Sequence, residues 1–195
     1  MCFKFTELLM KKTILILALS LVNLHAKTNS LPNAPIPSKE ESSLIEEMQN
    51  NVNAPGAVLF TPPAGWRLVD PKNLPKSVLV MVVGKGVSDF PPNMNLGFEN
   101  YEGSLKDYIR KIVKVQLDST HAEWKDLGTI QTEAGDAQLL QIDNKTKWGV
   151  ERQMMALIKS NQTIYMLTAS ALRDEFPKHY KEFFNSIRSL KINPN

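Results

Sequence analysis

Cysteine is almost missing from this chain of 195 residues: Cys2 stands alone, close to the N-terminus. A lone thiol excludes an internal disulfide, a cysteine-based metal cluster and a paired redox motif. Histidine is nearly as scarce, with three copies, of which His25 falls in the leader discussed below. A zinc or other transition-metal site needs at least three converging ligands, and His121 with Glu123 and Asp126 is the sole local grouping that approaches one. Charge of either sign is also in short supply as an excess. The net charge is +3, and no basic stretch interleaves with aromatics, so nucleic acid is not the expected partner. Phosphate-binding and hydrolase motifs are missing too. Gly84-Lys85-Gly86 lacks the spacing and the Lys-Ser/Thr ending of a phosphate loop, and no G-x-S-x-G elbow offers a serine nucleophile. The one long apolar run, residues 13–24, is too short to cross a bilayer comfortably.

That run has the form of a secretory signal core. Lys11 and Lys12 precede it and Ala26 follows as a small residue at a cleavage position. The expectation is a signal peptide over residues 1–26, with Met10 as the natural start. Leu24 departs from the usual small-x-small pattern, so an uncleaved N-terminal anchor is the alternative. Cleavage would remove Cys2 and leave a thiol-free chain, which suits a periplasmic or secreted protein. Residues 27–56 are rich in Pro and Asn and read as a flexible tether. Within it Ser38 and Glu41 have capping-box spacing, and Leu44, Ile45 and Met48 give a short helix its apolar contacts.

The folded domain is expected over residues 57–192. Hydrophobic content of 43% is enough for a core. Short strands are expected at 57–61 and around Trp66-Arg67-Leu68. The run 78–83 (VLVMVV) reads as a central strand buried on both faces. A strand at 94–101 is followed by a helix capped by Ser104, with Leu105, Tyr108, Ile109, Ile112, Val113 and Leu117 on one face. Four strands then follow, 124–132, 137–142, 150–159 and 163–172, joined by tight turns, one of them the polar stretch 143–147. They form an antiparallel meander. The chain closes with a helix whose predicted cap is Asp174, with Pro177 in the first turn. Phe176, Tyr180, Phe183, Phe184 and Ile187 recur on one side of it, an aromatic ridge whose members each contribute roughly 1.5–3 kcal/mol when buried against a sheet. One helix interrupts the strands and one follows them. That order predicts an α+β fold: an antiparallel sheet of about six to seven strands with helices packed on its faces.

Pro63-Ala64-Gly65-Trp66, Ser104-Leu105-x-x-Tyr108, the meander, and the closing Tyr165-x-Leu167-Thr168-Ala169…Phe176…Tyr180…Phe183…Ser186-Ile187-x-Ser189-Leu190-Lys191-Ile192 together resemble the Mog1/PsbP-like family. The resemblance covers residues 57–192, and an exported chain without cysteine fits the bacterial DcrB-type and LpqN-type members better than the nuclear-transport one. It implies a non-enzymatic binding or assembly protein, without a cofactor, and transfers no functional residue.

Trp66, beside a turn glycine, and Trp148, just before Gly149, are the candidates for lining a groove; the plainer expectation is that both indoles cap sheet ends. His121 is expected as a solvated group past a helix end and His179 as a rim residue of the closing helix. No catalytic, cofactor-binding or metal residues are assigned. Asn144-Lys145-Thr146 and Asn161-Gln162-Thr163 match the glycosylation sequon, which matters only in a eukaryotic secretory pathway. The functional expectation is an exported, non-enzymatic module of the bacterial envelope that binds a protein partner. A periplasmic protein for a small ligand or lipid is the alternative, and a hydrolase built on His121, Glu123 and Asp126 the third reading.

Overall fold

The computed structural model describes residues 57–86, 89–120 and 122–193. The expected leader, the tether with its short helix, and His121 lie outside the described residues. In order the elements are β1 (Ala57–Leu59), β2 (Arg67–Leu68), β3 (Val78–Val83), β4 (Asn93–Asn100), α1 (Leu105–Thr120), β5 (Glu123–Thr132), β6 (Gly135–Thr146), β7 (Gly149–Ser160), β8 (Thr163–Leu172), α2 (Phe176–Arg188) and β9 (Lys191–Asn193). Seven strands form one antiparallel sheet in the order β2-β3-β4-β8-β7-β6-β5. The meander β5 to β8 is therefore in place, and β4 inserts beside β8 to join the two halves.

Alternation along β8 divides the core in two. Tyr165, Leu167, Ala169 and Ala171 face α2, where Phe176, Phe183 and Ile187 pack on Met94, Leu96, Met154 and Ala156. Ile164 and Met166 face the other way, onto Tyr108 and Ile112 of α1 with Leu140, Ile142, Met155 and Leu157. The sheet is thus the middle of three layers, an α+β arrangement. Ser104 caps α1 as its sequence suggests. Its Oγ accepts from Asp107 N–H at 3.1 Å and donates to Asp107 Oδ2 at 2.6 Å.

Several local expectations need correction. The polar stretch 143–147 is not a turn: β6 runs on to Thr146, and Asp143 and Asn144 are buried strand residues. The reason is cross-strand neutralisation, because Asp143 lies opposite Arg152 and forms a two-pronged ion pair with it. Asp174 does not cap α2. Glu175 occupies that position without a side-chain bond, while Asp174 points into solvent beside Arg173. Tyr180 leaves the buried ridge and is 51% exposed, lying on Phe184 with ring centroids 4.5 Å apart. β3 is buried on both faces but sits one place from the sheet edge, shielded by the two-residue β2. The closing residues Lys191–Asn193 add a strand the sequence did not suggest, β9, which pairs with β1 in a separate two-stranded sheet.

Candidate functional site

On the α1 side of the sheet the apolar rows stop short of one end. Asn93 of β4 lies opposite Ser170 of β8, which lies opposite Gln153 of β7. One row further in, Asn95 lies opposite Thr168. Beyond the first row, Glu151 of β7 lies between Leu172 of β8 and Asn144 of β6. The two-residue alternation places all of these on the same face as Met166 and Ile164. Asn93, Asn95, Thr168, Ser170, Glu151 and Gln153 are all buried. Three adjacent strands thus carry polar pairs two residues apart, where their neighbours along the same face are apolar. That i, i+2 pattern was visible in the sequence and is the signal that sequence reasoning missed, because each strand taken alone reads as an apolar run with a polar end.

The described residues satisfy this polar floor incompletely. Asn93 Nδ2 donates to Pro91 O at 3.2 Å, which turns its Oδ1 the other way. Gln153 Nε2 donates to Glu151 Oε1 at 2.9 Å. Asn93 Oδ1, Asn95 Oδ1 and Thr168 Oγ1 have no hydrogen-bond partner among the described residues. Ser170 Oγ makes no bond of proper geometry either, although its hydroxyl lies near enough to Glu151 to favour the carboxylate's charged form. Burial pushes the Glu151 pKa up, with Gln153 and Ser170 opposing it. Each unsatisfied buried polar group costs on the order of 1–3 kcal/mol.

Trp148 borders this end of the sheet. It stands in the turn between β6 and β7, and its ring meets that of Phe90 with centroids 5.6 Å apart. Phe90 comes just before β4 and Trp148 just before β7, so their contact reaches across the end of β8, the strand between them. Lys147 Nζ lies 4.4 Å from the Trp148 ring centre. Trp66 has different surroundings. It packs edge-on to Phe183 and His179 of α2, with centroids at 5.8 and 6.0 Å, and lies over Gly84, whose missing side chain leaves room for the indole. The structure gives the two tryptophans separate partners.

His179 is half-buried against Trp66 and Phe183 and bonds Glu182 through Nδ1 at 3.1 Å. Glu123 and Asp126 are exposed on β5. Asp126 Oδ1 accepts from Gly128 N–H at 2.8 Å and from Gln138 Nε2 at 2.5 Å. These bonds hold a bulge, the register shift between Asp126 and Gly128, where Gly128 takes a φ of +83° that favours glycine. Among the described residues, no group of three or more His, Cys, Asp or Glu side chains could hold a metal, and no helix is long and apolar enough to cross a membrane.

β5 itself is the second notable feature. It has ten residues, and among the described residues it pairs with β6 alone. Most of it is exposed, including Trp124 at 38% and Leu127 at 43%.

Comparison with solved structures shows the fold. LpqN, involved in cell envelope biogenesis of Mycobacterium tuberculosis, superposes with a TM-score of 0.54 at 16% identity, over 73% of this chain and 87% of that one. The PsbP of the cyanobacterium Synechocystis gives 0.47 at 11% identity, over 73% and 95%. The Ran-binding protein Mog1p of Saccharomyces cerevisiae gives 0.47 at 15% identity, over 71% and 91%. No family model matches the chain, and no curated protein matches it significantly.

Proposed function

We propose that this chain, which has a Mog1/PsbP-like fold, is an exported, non-enzymatic binding module of the bacterial envelope that holds a protein partner along β5. The observation that carries this reading is the edge strand with its exposed Trp124 and Leu127. An unpaired strand edge offers a row of backbone N–H and C=O groups to an incoming extended segment, and side chains beside it supply specificity. The Gly128 bulge and Lys125 interrupt the edge, which discourages indiscriminate strand pairing. Lys11-Lys12 and the apolar run 13–24 support export, the tether over 27–56 would give the domain reach, and the likeness to LpqN supports an envelope setting.

Affinity capture from envelope fractions tests this. The full chain is expected to recover one protein at near-equal stoichiometry, and Trp124→Glu with Leu127→Lys is expected to lose it. Capture that survives this double substitution would remove β5 from the binding surface. Amino-terminal sequencing of periplasmic material checks the leader: a start after Ala26 supports cleavage, and retention of the chain in the membrane supports the anchor.

The polar floor favours a second reading, a small-ligand protein with Trp148 at the border of its site. The hydrolase reading gains nothing from Asp126, whose carboxylate is committed to the bulge.

A further inference from the structure

We infer that the partner held along β5 is a second copy of this chain, paired to the first through Glu123, Trp124 and Lys125 across a two-fold axis. The inference deepens the β5 reading proposed above and rests on it. It starts from the free side of the strand. Among the described residues β5 pairs with β6 alone, and every residue from Glu123 to Thr129 is exposed. Such an edge presents backbone N–H and C=O groups that an extended strand can complete.

Side-chain direction limits what that strand can be. Lys125 lies opposite Gln141, which lies opposite Met154 of the α2 core. Trp124 lies opposite Ile142 of the α1 core. Glu123 and Lys125 therefore stand on the α2 side of the sheet and Trp124 on the α1 side. The inward neighbour of Glu123 is another acid, Asp143, and the guanidinium of that row, Arg152, is held by Asp143. Among the described residues neither Glu123 nor Lys125 enters a salt bridge. One edge thus carries an exposed carboxylate and an exposed ammonium two residues apart on the same face.

A second β5 complements both at once. Two identical strands meet antiparallel in one sheet about a two-fold axis normal to it, which keeps each face on its own side. Opposed side chains then come from the same face, so before the bulge the axis passes through a residue rather than between two. An axis through Glu123, Lys125 or Asp126 sets like charges directly opposite, which is destabilising. An axis through Trp124 sets Glu123 of each copy opposite Lys125 of the other, giving two ion pairs on the α2 side, and sets the two indoles against each other on the α1 side. Charge pattern and aromatic position agree on this one register. The seam ends at the bulge after Asp126, where the strand bends away. So short a seam gives a weak dimer, with a Kd on the order of 10 μM.

Sedimentation equilibrium of the full chain, beside its charge-reversed variants Glu123→Lys and Lys125→Glu, tests this. The unaltered chain is expected to pass from the mass of one chain towards that of two between about 1 and 200 μM. Each variant alone is expected to dimerise about tenfold or more weakly, because both ion pairs become repulsions. Mixed in equal amounts, the two variants are expected to regain the dimer, since the lysines of one then lie opposite the glutamates of the other. Both positions are exposed, and recovery on mixing also shows that neither variant has lost its fold. A dimer untouched by the two single reversals would overturn the inference, as would failure of the mixture to recover it. So would a monomer across the whole range. Envelope capture of a different protein, lost with Trp124→Glu and Leu127→Lys, would then remove the second copy and leave the β5 reading standing.

Discussion

Arg152 grips Asp143 directly across the β6–β7 ladder, Nε to Oδ1 at 2.9 Å and Nη2 to Oδ2 at 2.6 Å. The aspartate is buried, and the guanidinium, whose pKa rises through its bond to Asp143, also lies 6.0 Å from the Phe176 ring centre. The pair lets an acidic residue continue a strand at the border of the α2 core. Arg152→Met is expected to keep the packing and strand the carboxylate, lowering stability by about 2–4 kcal/mol in urea denaturation. Asp143→Asn in the same background should restore part of the loss, since it removes the uncompensated charge.

The closing helix offers a direct contrast between two aromatics. Phe183 is fully buried among Phe176, Trp66 and the sheet, whereas Tyr180 rides on Phe184 at the surface. Phe183→Ala is expected to cost about 3–5 kcal/mol and Tyr180→Ala no more than about 1 kcal/mol, both read from denaturant midpoints. Equal costs would mean that the ridge is seated differently.

Gly84 reports on Trp66. A Cβ built there would lie 2.7 Å from the indole Cε2, closer than packed carbons allow, so Gly84→Ala must push the ring away from Phe183 and His179. The expected result is a red-shifted Trp66 emission, measured with Trp124 and Trp148 replaced by Phe, and a loss of about 1–3 kcal/mol.

Two glutamates, Glu99 half-buried and Glu151 buried, set a pH dependence. Burial raises the pKa of Glu99, against the hydrogen bond from Tyr108 at 2.6 Å and the charge of Lys111, and burial raises that of Glu151. For both, the folded chain binds a proton more tightly than the unfolded chain, whose carboxylates keep the ordinary value of 4.5. Their contribution is fully present below that value and is lost as pH rises through the folded pKa values. Thermal midpoints of Glu151→Gln followed upward from pH 4.5 should decline less than those of the unaltered chain. An identical slope would show that Glu151 does not titrate in this range.

The helices and the meander were legible because their signals are local. Ser104 and Asp107 are neighbours on one turn, and Ser160-Asn161-Gln162 turns the chain with Asn161 at a φ of +52°. Asp174 misled for the same reason. It has the composition of a cap, but Leu172 O and Val150 O take the backbone of Glu175 and Arg173 and move the helix start one residue on. The tryptophans were singled out by adjacent glycines, and only Trp148 came to rest beside the polar floor.

By itself the amino-acid sequence determined the element types, the antiparallel meander and the aromatic side of the closing helix, because periodicity and turn chemistry act over a few residues. Tertiary structure alone decided that β4 lies beside β8, and so brought Asn93 to Ser170 and Asn95 to Thr168 from more than seventy residues away. Strand order depends on which faces bury together, and no stretch of chain carries that choice within itself.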